Sequence, residues 1–87
     1  MKTIWKYTLK VENTVEIEIP KFSEVLCVQT RFEEPCVWFL VDTNNEKEVR
    51  LLSTIGTGND AKDVSIQQYI GTYQLYGGNY VFHLFWH

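Results

Sequence analysis

The chain reads as an all-β protein of about seven antiparallel strands in a small barrel or sandwich. Apolar and polar residues alternate with period two in most segments between turn signals. Those signals come at short intervals and carry the Gly, Asn, Asp and Pro chemistry of tight connections. No stretch shows the wider apolar spacing of an amphipathic helix.

In the first strand Trp5, Tyr7, Leu9 and Val11 point one way, and Lys6, Thr8 and Lys10 the other. In the second, Val15, Ile17 and Ile19 alternate with Glu16 and Glu18. A three-residue loop, Glu12-Asn13-Thr14, is expected to join them as a hairpin. It would pair Val11 with Val15, Leu9 with Ile17 and Tyr7 with Ile19, and set Lys10 opposite Glu16; a two-residue loop would oppose Leu9 to Glu16. Pro20 ends that strand, and the third runs from Val25 to Phe32. A turn at Glu33-Glu34, before Pro35, would set Cys36 opposite Arg31 and Cys27 opposite Leu40. The fourth strand, Cys36 to Asp42, is apolar on both faces, which predicts a central strand covered on both sides. Thr43-Asn44-Asn45-Glu46 is a polar turn, and Lys47 to Ile55 is the fifth strand, with Val49 and Leu51 opposing Arg50 and Leu52.

One long loop follows strand five, Gly56 to Gln68, with a possible helix cap at Asn59 or Asp60 and room for at most one helical turn. A connection of that length in so short a chain is more often functional than accidental. Tyr69 to His87 then forms a hairpin turning at Gly77-Gly78-Asn79, with Tyr73 opposite Phe82, Gly71 opposite Leu84 and Tyr69 opposite Trp86. Its strongly aromatic face belongs in the core. The opposite face carries Ile70, Tyr76, Val81, His83 and Phe85, so it too needs cover, from the interior or from a second subunit.

Residues 1–87 suffice for one domain with a single core, to which the 15 % of aromatic residues contribute. A net charge of -3 supplies no basic footprint for duplex nucleic acid. The expected pairing keeps Cys27 and Cys36 apart, so both are expected reduced. MKTIWKYTLK lacks the apolar core of a signal peptide, and no apolar run approaches the ~20 residues of a membrane span, so action in the cytoplasm is expected. A terminal His, here His87, is also the residue with which a purification tag begins.

The runs IWKYTL (4–9), PCVWFLVD (35–42), STIGTGND (53–60), YIGTYQL (69–75) and VFHLFW (81–86), in that order, resemble a small family of proteins carried by bacteriophages and by bacteria with prophages. The resemblance covers nearly the whole chain. It implies phage or prophage origin, an all-β fold and action in the host cytoplasm, and it brings no established activity. In that family the Gly-Thr-Gly is usually followed by His, where this chain has Asn59. Small phage proteins often block a host protein or sequester a nucleotide signal, an analogy of class alone.

Gly56-Thr57-Gly58-Asn59 follows a strand, and its glycines would let backbone N–H groups converge on an anion, helped by the hydroxyls of Ser53, Thr54 and Thr57. It lacks the Lys of a phosphate-binding P-loop and the spacing of a dinucleotide fingerprint, and the plainer reading is a turn that needs positive φ. Arg50 as a phosphate fork, Tyr73 as a stacking ring and His83 complete the candidate ligand contacts. His83 and His87 share a face but stand about 13 Å apart along an extended strand, too far to hold one ion. No metal or cofactor is expected. Neither Cys27 nor Cys36 adjoins a His in the expected pairing and no paired carboxylates can be read off, so no catalytic residue is named and the chain is not expected to be an enzyme. These readings point to a non-enzymatic homo-oligomer that binds a small anionic ligand, with a nucleotide immune signal as the resemblance's contribution. The alternatives are a protein-binding adaptor or inhibitor of a host protein, and an accessory structural phage component.

Overall fold

The computed structural model describes residues 1–87 and resolves the alternating pattern into seven strands. They are β1 (Lys2–Thr8), β2 (Thr14–Pro20), β3 (Glu24–Arg31), β4 (Glu34–Asp42), β5 (Lys47–Gly56), β6 (Tyr69–Leu75) and β7 (Tyr80–Trp86). Three form one antiparallel sheet in the order β1-β4-β3, and four form a second in the order β2-β5-β7-β6. No backbone ladder joins the sheets, so the architecture is a sandwich and not a closed barrel.

The core is the sum of the two inner faces. Val37, Phe39 and Val41 of β4 meet Ile17 and Ile19 of β2, Leu52 of β5, Leu84 of β7, and Tyr73 and Leu75 of β6. Phe39 is fully buried near the middle, its ring 5.6 Å from Tyr7 and 5.3 Å from Trp86. Burying one such side chain contributes about 1.5–3 kcal/mol. The seams between the sheets are tied by side chains. At one, the Tyr7 hydroxyl donates to the Glu18 carbonyl at 2.7 Å. At the other, the Thr30 hydroxyl donates to the Gln74 carbonyl at 2.7 Å, and the Tyr76 N–H donates to the Glu33 carboxylate at 2.6 Å.

The expected β1–β2 hairpin does not form. Its two strands belong to different sheets: β1 pairs with β4, setting Lys6 against Trp38 and Tyr7 against Val37, whereas β2 pairs with β5. Lys10 is therefore not opposite Glu16, whose partner is Leu51. The physical reason lies in β4. A strand apolar on both faces is most stable at the centre of a sheet, and β1 supplies the neighbour opposite β3.

The β3–β4 turn also differs, by one residue. Arg31 pairs with Glu34 and Gln29 with Cys36, so Phe32 and Glu33 occupy the turn with φ of 51° and 64°. Tight hairpins demand such positive angles, but Phe-Glu carries none of the Gly or Asn chemistry that marks them in a sequence. Cys27 accordingly faces Trp38 rather than Leu40, and both cysteines are free.

In the C-terminal hairpin Tyr73 pairs with Phe82 and Gly71 with Leu84, as the alternation requires. A bulge between Tyr69 and Gly71 changes the end of the ladder, so that Tyr69 pairs with Phe85 instead of Trp86. Tyr69 thereby joins the outer face, and Ile70 packs on the core.

Candidate functional site

Strand order dictates the long connection. Both β5 and β6 run antiparallel to β7, which lies between them, so they are parallel to each other. The chain leaving Gly56, level with Phe82, must therefore pass β7 and return about three residues along it before β6 can begin at Tyr69, level with Phe85. Residues 57–65 and a single 3₁₀ turn, Ile66–Gln68, make this crossover. They pass over the outer face, where His83 and His87 alternate with the inward Leu84 and Trp86.

Each histidine anchors one end of the crossover. Thr57 Oγ1 lies 2.7 Å from His83 Nε2, and the opposite ring nitrogen is 2.9 Å from Thr72 Oγ1, which in turn meets the Tyr69 hydroxyl at 2.6 Å. At the other end Gln68 Nε2 lies 2.9 Å from His87 Nδ1, and His87 Nε2 is 2.9 Å from Ser53 Oγ. His87 is also held by its backbone, donating N–H to the Leu51 carbonyl at 2.8 Å and accepting from Arg50 Nε. It continues the β5–β7 ladder as an integral part of the sheet.

Between the crossover and the β1–β2 loop lies a cleft of about 430 Å³. Ser53 to Gly56, Phe82 and His87 form one part of its lining; Asn13 and Thr14 line one flank, and Asn59 to Val64 much of the other. Three carboxylates, Glu12, Asp60 and Asp63, face one ammonium, Lys62, a balance of -2 with His87 neutral (-3 + 1).

The protonation of His87 follows from its neighbours. Gln68 Oε1 accepts the Ser65 N–H at 2.9 Å, which leaves the Gln68 amide nitrogen facing His87. That nitrogen only donates, so Nδ1 must accept and the proton of the neutral ring sits on Nε2, pointing at Ser53. Ser53 and His87 thus have the spacing of a nucleophile and its base, but the proton is on the wrong nitrogen for His87 to take one from the hydroxyl.

The residues singled out from sequence are only partly brought together. Gly56 and Asn59 line the cleft, and the Asn59 amide folds back so closely that a Cβ on Gly56 would meet its Nδ2 at 2.9 Å. Gly58 has a φ of 89°, a conformation few other residues accept. The turn does not gather donors around an anion, because the Thr57 N–H donates to the Val81 carbonyl and the Asn59 N–H to the Gly56 carbonyl. Thr57 and His83 bond to each other beside the cleft without lining it. Arg50 stands six residues before Gly56 along β5, roughly 20 Å from the turn; it touches the backbone of His87 but does not line the cleft, its guanidinium lying 3.9 Å from the centre of the Trp86 ring and 3.4 Å from Glu48. Tyr73 is buried, with a hydroxyl that makes no well-aligned hydrogen bond. Burial pushes its ionisation up, an effect partly opposed by nearby Thr54, which lines the cleft.

Sequence reasoning missed Asn13, Thr14 and His87 as lining residues. Asn13 and Thr14 were assigned to a hairpin that does not form, and no local pattern could bring them to Ser53. One family model, described as a domain of unknown function (DUF7352), matches residues 1–87, a span that includes His87. No curated protein and no solved structure matches the chain.

Proposed function

We propose a function from the cleft, because the DUF7352 family, to which this chain belongs, is a domain of unknown function and supplies none. In this reading the protein is a non-enzymatic binding protein that holds a small polar ligand between the crossover and the β1–β2 loop. The observation that carries it is the cleft's size and lining. About 430 Å³ falls within the range of small-molecule sites, and the Asn13, Ser53 and Asn59 side chains offer both donors and acceptors.

The three carboxylates favour a neutral or cationic ligand over a multiply charged phosphate. An anionic nucleotide, the ligand suggested by the phage-type resemblance, would have to present base and ribose to the cleft and leave its phosphates to Lys62 and solvent. The test is thermal denaturation against nucleosides, cyclic dinucleotides and polyamines. A ligand at a hundred times its Kd stabilises by about 2.7 kcal/mol, a Tm rise of roughly 10–20 °C for a chain of this size. Thr14→Trp, which fills the cleft at the β1–β2 loop, should abolish the rise. A Tm unmoved by every compound, or a rise that survives Thr14→Trp, would reject the reading.

A specific observation also favours the protein-binding alternative. The outer face of the three-stranded sheet carries apolar side chains that no other part of the chain covers, with Ile4 57 % and Leu26 49 % exposed.

A further inference from the structure

The cleft does not end at Phe82. Val11 and Phe82, which line it, also line an open groove of about 250 Å³ whose other walls are Leu75, Tyr76 and Tyr80. That groove lies at the turn end of the β6–β7 hairpin, where Leu75 pairs with Tyr80. A polar compartment and a wholly apolar one thus meet across a single pair of side chains.

The groove is aromatic by arrangement. The Tyr80 and Phe82 rings are nearly parallel, at 14° with centres 6.5 Å apart, and Tyr76 stands edge-on to Tyr80 at 5.7 Å. Offset stacking and edge-to-face contact with such rings are the ways a planar ring packs. Tyr76 is held there against its backbone preference. Its φ is 55°, a conformation that Asn or Gly adopts more readily, and the Glu33 carboxylate fixes it by accepting its N–H at 2.6 Å. The ring is 59 % exposed, so neither turn geometry nor core burial calls for a tyrosine. Tyr80 is also exposed.

Charge limits what can bridge the two compartments. Glu12, Asp60 and Asp63 line the cleft, and none is ion-paired within the chain. No cationic side chain lines the groove, and the faces of aromatic rings attract positive charge. We propose that cleft and groove are one site, and that its ligand is a cationic amine carrying a planar ring. The ammonium occupies the cleft among the carboxylates, and the ring lies in the groove against Tyr76 and Tyr80. This ligand class rests on the reading of the cleft as a binding site.

The test is NMR titration of the isotope-labelled full chain with tryptamine, with tryptophol (the same ring bearing a neutral hydroxyl) and with n-butylamine (the charge without the ring). Tryptamine should bind about tenfold tighter than either control and shift amide signals in both compartments, at Asn13 and Ser53 and at Tyr76 and Tyr80. A variant carrying Tyr76→Asn and Tyr80→Thr keeps a residue suited to each backbone and removes both rings. It should bring tryptamine to within about twofold of n-butylamine. Tryptamine no tighter than either control overturns the proposal, and so does a ring preference that survives loss of both tyrosines. In either case, cleft shifts caused by n-butylamine and abolished by Thr14→Trp would leave the cleft reading standing. If none of the three binds, the ligand class falls, and the nucleoside and polyamine melts decide the cleft reading separately.

Discussion

Gly71→Ala sets two physical effects against each other, and the structure decides the sign. Gly71 lies inside β6 without positive φ, where Ala ordinarily stabilises by about 0.5–1 kcal/mol because it loses less conformational freedom on folding. Its Cβ, however, would sit 2.7 Å from Val28 Cγ1, at the seam where β3 crosses β6. Ordinary van der Waals contact begins near 3.4 Å. Val28 is β-branched and packed against the core, so its methyl has little room to rotate away. Overpacking of this kind costs about 1–3 kcal/mol, so the middle of the two ranges leaves a net loss of roughly 1 kcal/mol and a fall in Tm of several degrees. Urea denaturation followed by tryptophan fluorescence measures it. Val28→Ala should destabilise alone yet recover most of the loss when combined with Gly71→Ala, giving a coupling energy near 1 kcal/mol. A Gly71→Ala protein as stable as the parent, or a double variant whose losses simply add, would refute the close approach of the two strands.

Two tyrosines should respond oppositely to loss of the hydroxyl. Tyr7→Phe removes the bond to the Glu18 carbonyl and should destabilise by about 0.5–1.5 kcal/mol, whereas Tyr73→Phe removes a buried hydroxyl with no good partner and should be neutral or stabilising by about 1 kcal/mol, both read from urea midpoints. Burial raises the ionisation of both above the ordinary 10.0, with Glu18 adding to the effect at Tyr7. Their contribution is whole below pH 10 and is lost as pH rises through the higher folded values, so stability should fall on the alkaline side, less steeply in Tyr73→Phe. Asp42 behaves conversely: the Asn44 N–H and then the N-terminal ammonium hold it below 3.8, so a pH titration of stability should show its contribution present above that value and lost as pH falls through the lower folded one. Phe32→Asn, at a φ of 51° with its ring 89 % exposed, should raise stability by about 0.5–1 kcal/mol in thermal melts by relieving a left-handed conformation that Asn tolerates.

Side-chain alternation alone determined that this chain is built of strands and, away from the bulges in β3 and β6, which residues share a face. Val37, Phe39 and Val41 could be assigned to one face without coordinates because successive side chains in an extended chain point to opposite sides. The same rule held Tyr73 against Phe82 across a Gly-containing turn. Alternation says nothing about which strand lies alongside, since every strand edge offers the same backbone N–H and C=O groups. The choice of β4 over β2 as the neighbour of β1 came from closing apolar surface across the whole molecule, and it put Asn13 and Thr14 on the flank of a cleft instead of in a hairpin. The crossover was visible as a long polar connection. That it would pass over the outer side of β7, where His83 and His87 meet its two ends, depended on β7 falling between β5 and β6, an order that only the folded sheet sets.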